Sequence, residues 1–433
     1  MKNAEKWILL TLLLTPVWWV LGVNVFIYQV IIFFFFFKLV FNMIMSRASF
    51  ALPKPVMWLA LFLWFYFLSV LINIGNQPAQ RLLASFNNYL LYVMGFMMML
   101  LLYRDASENW IPEFFRTAKN ISFISGILTL VFVALWFAGL KHIEFDALLA
   151  RLLPVVKNSP FFYLLTTIRV TGTDWFMEQV PRISLYSIAF IGSGNFMAMM
   201  LPGLMGYYAL TKSRWIFAVV FLTAFLPLAF SLSRTAVCSF IGAYIFVTVI
   251  EKGTKFYWAI IYLMLGVLSA GSIYHGLEWL FNFRSHSTIG RLDVYQDAIE
   301  MVMENNPLMG LGVRIREGFS LMQIGSHSNY VELLLVTGML GLAIFVSFQV
   351  STFILWWRDK RYLQTSEEKI YWKYLGMSFI GANGTILTSS LSALPFIAYT
   401  YFLVVSSILV LSKQVRKHYL ETHPEAGEER YDG

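Results

Sequence analysis

An all-α bundle of membrane-spanning helices is the fold class this sequence predicts, on three observations. Hydrophobic residues make up 58% of the 433, and charged residues only 13%, roughly half the charged share of an ordinary soluble domain. Mean hydropathy is +0.66. Apolar runs of about 20 residues, the length that crosses a hydrocarbon core as a helix, recur from one end of the chain to the other. One transmembrane domain over 1–433 follows, rather than two soluble domains.

The first such run, 7–23, follows Lys2 and Lys6 and has the outline of a signal peptide. No small-residue cleavage site precedes a soluble domain, however, and a second apolar run follows at once, so it reads as the first span. The others are 26–45, 56–74, 82–103, 121–140, 183–210, 215–230, 235–250, 256–274, 332–357, 374–391 and 396–412. Together they predict about 12 helices. The run Phe33 to Phe37 is suited to contact with lipid or a neighbouring helix.

Alternate connections are basic: Lys2 and Lys6, Arg47 and Lys54, Arg104 with Arg116 and Lys119, Lys212 and Arg214, Lys252 and Lys255, the 358–373 loop, and Lys413, Arg416 and Lys417. The opposite connections hold roughly half as many cations, which places both termini in the cytoplasm by the positive-inside rule. Two long loops, 141–182 and 275–331, then lie outside, and 413–433 forms a cytoplasmic tail whose acidic end reads as disordered.

The second external loop carries an amphipathic helix. Leu292, Tyr295, Ile299, Val302 and Met303 recur at helical spacing opposite Asp293, Asp297, Glu300 and Glu304, and Asn305-Asn306-Pro307 ends the pattern. Its apolar side is expected against the bundle.

The net charge of +8 is scattered between apolar segments, so no nucleic-acid surface is indicated. Cys238 is the single cysteine, which excludes an intrachain disulfide. Ligand-spaced histidines or carboxylates and glycine-rich nucleotide loops are missing, so neither a metal, a cofactor nor a nucleotide-driven pump is expected. A secondary transporter would have only Lys38, Asn195 and Asn383 as polar groups deep in its spans.

Arg182, Arg234 and Arg291 stand apart because they sit at external boundaries, where the positive-inside bias leaves few cations. Arg234 lies in the very short turn Ser231-Leu232-Ser233-Arg234, near membrane depth, where a charge is costly. A helix-end arginine often just snorkels to lipid headgroups. Three that converge suit a phosphate or pyrophosphate, because a planar guanidinium grips such oxygens in pairs. Arg314 and Arg316 read as solvent-facing loop charges. His327, in Gly325-Ser326-His327-Ser328-Asn329-Tyr330, stands where the loop returns to the membrane among polar, turn-forming neighbours, as an accessible base would. His286 and His275 are secondary candidates, and Glu178, Asp293 and Glu332 are rival bases.

These residues resemble the O-antigen polymerase and O-antigen ligase superfamily of bacterial envelope glycosyltransferases. The likeness has four parts in order: Pro181-Arg182-Ile183 onward to Gly194-Asn195; Ser233-Arg234-Thr235-Ala236; Gly290-Arg291 to Asn306-Pro307-Leu308-Met309-Gly310-Leu311-Gly312; and Ser326-His327-Ser328-Asn329-Tyr330 to Gly338-Met339-Leu340-Gly341. It is strongest from about Pro181 to Phe345. It implies a glycosyltransferase C-like architecture in the bacterial inner membrane. The implied reaction moves a glycan from an undecaprenyl-pyrophosphate carrier to a sugar hydroxyl, with inversion and without a metal. Carried onto this chain, Arg182 and Arg234 hold the pyrophosphate, Arg291 supports them, and His327 activates the acceptor, with Ser233, Asn329 and Tyr330 as substrate contacts. Ligases of the group often have Asn directly after the histidine. The Ser-Asn-Tyr-x-Glu continuation here is more similar to repeat-unit polymerases of O-antigen, capsule or exopolysaccharide, with a chain-length regulator as the implied partner. A flippase or transporter of the same lipid-linked glycan is the non-enzymatic alternative.

Overall fold

A computed structural model describes residues 2–24, 26–46, 52–153, 167–174, 177–186, 190–253, 285–314, 327–391 and 394–425. Helices stand at every expected span except 256–274, which lies outside the described residues. They are Lys2–Leu13 with Thr15–Leu21, Ile27–Ser46, Lys54–Ile72, Ala79–Asp105, Trp110–Phe137, Phe190–Thr211, Arg214–Phe230, Arg234–Lys252, Asn329–Asp359, Ser366–Ile386 and Pro395–Thr422. Among the described residues seven are long and apolar enough to cross a membrane, or eight if the first, bent pair is one span. The protein is therefore a polytopic helical membrane protein, but these helices do not fix the count at about 12.

The first span is not the straight helix its hydropathy implies. It bends by 65° between Lys2–Leu13 and Thr15–Leu21, where Pro16 in the first turn of the second piece has no N–H to continue the ladder. At the other end of the chain, Pro395–Thr422 runs past residue 412 and forms the centre of the bundle, with its whole apolar window buried. A helix that is apolar all round belongs in such a core. Gly95 brings the Ala79–Asp105 helix onto the ring of Phe402, and the Trp110 indole donates to the Ser407 hydroxyl at 3.1 Å. Ile27–Ser46 is peripheral, and Phe34 and Phe37 are exposed as a lipid-facing surface requires.

The connections segregate to two ends of the bundle. At one, Lys413 donates to the Tyr103 carbonyl at 2.9 Å, Lys360 to that of Ile250 at 2.8 Å, and Arg416 pairs with Asp359 at 2.8 Å. This is the basic end. At the other end meet the turns 231–234 and 388–391, the start of Asn329–Asp359, and the close of the 141–182 loop.

That loop adds two short strand pairs to an otherwise helical fold. Strand Glu144–Asp146 pairs antiparallel with Thr167–Arg169, and Thr171–Asp174 with Met177–Ile183. The β-branched stretch Thr167-Ile168-Arg169-Val170-Thr171 carries the signal. The span expected from residue 183 accordingly begins as a helix only at Phe190.

The helix Asn329–Asp359 is broken in its interior at Gly338 (φ 67°, ψ −171°). Hydrocarbon supplies no water to the backbone groups such a break releases, so the protein must satisfy them itself. The segment from Pro307 to Gly312 does this. Leu311 and Gly312 donate to the carbonyls of Leu335 (2.8 Å) and Val336 (3.0 Å), while Met339 donates to Pro307 (2.9 Å). The Ser69 hydroxyl lies 2.5 Å from the carbonyls of both Met309 and Val336. A Cβ on Gly310 would stand 2.5 Å from the Gly338 nitrogen, so this backbone-on-backbone contact needs glycine at both places.

The helix Ser285–Asn305 ends where Asn305-Asn306-Pro307 predicts. Its inward face, however, is rotated from the expected one. Ala298 and Val302 bury against Leu311 and Leu335 in a small separate core, whereas Leu292 is 61% exposed and Ile299 and Met303 face outward too. The face that reaches the bundle thus carries Arg291, Val294, Tyr295, Ala298 and Val302, one helical stripe at spacings of three and four.

Candidate active site

Arg182 is delivered by the last residues of strand Met177–Ile183, opposite Gly172 in the ladder. Its Nε donates to the Ser231 carbonyl at 3.1 Å and its guanidinium lies 5.0 Å from the centre of the Phe190 ring, a cation–π contact. Ser231 opens the turn that leads to Arg234. Leu232 takes a left-handed backbone (φ 50°), and Ser233 caps the next helix by accepting from the Ala236 N–H at 3.3 Å. A Cβ on Gly194 would collide with the Ser231 hydroxyl, so the Phe190–Thr211 helix can approach this turn only without a side chain there. Arg182 and Arg234 therefore belong to one knot of structure, although 52 positions (234 − 182) separate them in the chain.

Arg291 enters from the Ser285–Asn305 helix on its inward stripe. Its Nε is buried and has no hydrogen-bond partner among the described residues. Burial pushes its guanidinium below the ordinary range; the neighbouring Tyr295 opposes this, and Arg234 adds to it. Burial, and then the charge of Arg291, likewise push Arg182 down to about 10. Burial and Arg291 again push the His327 imidazole down to about 4. Arg291 is thus the electrostatic link of the site: its charge acts on Arg182 and His327, and the charge of Arg234 acts on it. Both Arg182 and Arg291 stay cationic near pH 7, and neither pairs with a carboxylate among the described residues.

His327 has a left-handed backbone (φ 70°), and its carbonyl accepts the Tyr295 hydroxyl at 2.8 Å. Its titration departs from the unperturbed pKa near 6.5 that the sequence suggests: near neutral pH the ring is uncharged and can accept a proton. The unfolded chain takes up this proton near 6.5, the folded one only near 4, so acid between those values favours unfolding. His327→Asn, which tolerates the same backbone, should flatten this part of the stability curve. Thermal midpoints of the two purified proteins from pH 7 to 4 measure it, and parallel curves would contradict the lowered value.

Three expected substrate contacts are otherwise engaged. Ser233 is the helix cap. Asn329 is fully buried, its carbonyl oxygen accepting from the Tyr92 hydroxyl (2.9 Å) and the Leu391 N–H (3.1 Å). The Tyr330 hydroxyl donates to Gln349 at 3.0 Å, inside the bundle. Arg314 is not solvent-facing: its Nε donates to Glu332 at 2.7 Å and its terminal nitrogen to Ser390 at 2.7 Å. Among the rival bases, Glu332 is committed to this ion pair and Asp293 is exposed on the outer side of its helix. The side chains of Glu178 and His286, and Arg316 and His275 altogether, lie outside the described residues. Asn195 and Asn383, polar in their spans, are both hydrogen-bonded within the bundle, to Ser389 (2.8 Å) and Gln349 (2.7 Å), and Lys38 is exposed. Among the described residues no three His, Cys, Asp or Glu side chains cluster as metal ligands.

Chemically, the site gathers desolvated cations beside a neutral base. Converging like charges destabilise one another and, without water, are compensated best by an anion that accepts several charge-assisted hydrogen bonds. Residues 196–346 match the family model described as O-antigen ligase. The match takes in Arg234, Arg291, Arg314, His327 and the Gly338 break, and supports the likeness to the O-antigen polymerase and ligase superfamily. It points to a glycosyltransferase-like membrane enzyme of the O-antigen ligase or polymerase type. No curated protein matches the chain.

Proposed function

We propose that this protein, whose residues 196–346 carry the O-antigen ligase pattern, is an inverting, metal-independent polymerase. It joins undecaprenyl-pyrophosphate-linked oligosaccharide repeat units of an O-antigen, capsule or exopolysaccharide on the outer face of a bacterial inner membrane. The observation that carries this reading is the convergence of Arg182, Arg234 and His327 on Arg291, whose buried Nε has no partner among the described residues. The three guanidiniums hold the donor pyrophosphate. The acceptor hydroxyl oxygen attacks the anomeric carbon as its proton passes to His327. The bond from that carbon to the phosphate oxygen breaks, and its electron pair leaves on the pyrophosphate, where the arginines stabilise it. The basic end of the bundle faces the cytoplasm with both termini, 141–182 and 275–331 lie outside, and about 12 spans complete the chain. A chain-length regulator is the protein partner this reaction invites.

The likeness of residues 196–346 to the O-antigen ligase family favours one second reading, a ligase that moves finished polymer to an acceptor such as lipid A core. Purified protein given only lipid-linked repeat unit, in EDTA, separates the two. The polymerase yields a ladder of products and free carrier pyrophosphate. A ligase is silent until its acceptor is added. Activity that needs magnesium or manganese contradicts the metal-independent chemistry, and translocation of the lipid with no new glycosidic bond makes the protein a transporter.

A further inference from the structure

We infer that Arg314, Glu332 and Ser390 form a buried positioning group for His327, an inference that rests on reading His327 as the base. Glu332 is 1% exposed. One of its carboxylate oxygens accepts Arg314 Nε at 2.7 Å, and the other accepts the Ser390 hydroxyl, which in turn receives an Arg314 N–H at 2.7 Å. Three residues earlier, on the same face of the first helical turn, buried Asn329 takes the Tyr92 hydroxyl and the Leu391 N–H. The start of Asn329–Asp359 is therefore pinned twice to the 388–391 turn. That turn is itself held to the Phe190–Thr211 helix, where Asn195 donates to the Ser389 hydroxyl at 2.8 Å.

His327 stands just ahead of this pinned turn, in a backbone conformation costly for a residue with a side chain (φ 70°). Such a conformation persists where both flanks fix it. Tyr295 fixes it from the Ser285–Asn305 helix, and Asn329 with Glu332 fixes it from below. The Pro307–Gly312 segment, docked in the break of the same helix, delivers Arg314 to its carboxylate. One unit thus sets both the depth of the helix start and the direction of the imidazole. Stability alone accounts poorly for the pair, because two buried charges are replaced by apolar groups of similar volume at little or no cost.

The test is the double variant Arg314→Met/Glu332→Leu, which removes both charges of the pair together. It should insert and melt like the parent and bind lipid-linked donor with parental affinity, while kcat falls about 10- to 100-fold, as a displacement of the base by about 1 Å would cause. On the residual turnover of His327→Asn the same two changes should cost nothing more. Ser390→Ala, which removes only a hydroxyl, should lower kcat at unchanged KM and serves if the double variant misfolds. Parental kcat in the folded double variant, or in Ser390→Ala, overturns the inference, as does a full further loss on the His327→Asn background. Parental kcat in His327→Asn itself defeats the base reading instead.

Discussion

His327→Ala makes a correctly inserted protein whose turnover of lipid-linked donor falls about 100- to 10,000-fold, the usual worth of a general base, while donor binding survives. In the proposed reaction the cations stabilise the leaving pyrophosphate, so the remaining demand is on the acceptor, whose hydroxyl must lose a proton as it attacks. Burial and Arg291 push the imidazole down to about 4, so it is neutral near pH 7 and has a nitrogen lone pair with which to accept that proton. The rivals are weaker: Glu332 is locked to Arg314 and Ser390, and Asp293 points away from the bundle. His327→Asn is the stricter form of the experiment, since asparagine keeps the left-handed backbone (φ 70°) without an imidazole. Single-turnover rates on protein shown to be folded are the measurement, and near-parental rates in either variant would remove the base from the mechanism.

Arg291→Gln should produce the second large effect, and it should be double. Loss of a charge-assisted contact to phosphate oxygen is worth about 1.5 to 3 kcal/mol, which weakens donor binding about 10- to 100-fold. Arg291 also holds the His327 imidazole low, so its removal lets that group rise toward the ordinary histidine range. The acid limb of kcat/KM, which reports the free enzyme, therefore moves to higher pH in the variant than in the parent. Weaker binding with an unmoved limb would place Arg291 on the donor but out of reach of the base.

Much of the candidate site is legible in the sequence, because Arg182, Arg234 and Arg291 sit where the positive-inside reading expects few cations and His327 sits in a polar break between apolar segments. What is not legible depends on contacts without periodicity. Arg314 reads as a loop charge, since nothing local reveals that the Pro307–Gly312 stretch docks into a helix broken at Gly338. The glycines at 310, 312 and 338 are visible only as turn residues until the break brings two backbones together. The Ser285–Asn305 helix is predictable in extent but not in rotation: Leu292, Ile299 and Met303 dominate the apolar pattern, while the inward stripe runs through small Ala298 and through Arg291 and Tyr295. The strands at 144–183 were masked by the long-loop reading, although their β-branched residues carried the signal.

The central claim is that the arginine cluster is a pyrophosphate cradle. Its most direct measurement is the affinity of the purified protein in nanodiscs for carrier lipid bearing a pyrophosphate, compared with the same lipid bearing a monophosphate, for the parent and for Arg182→Gln/Arg291→Gln. The parent should prefer the pyrophosphate lipid by about tenfold or more, as one further charge-assisted contact implies, and the double variant should lose that preference. Equal affinity for the two lipids in the parent, or an undiminished preference in the double variant, would contradict it.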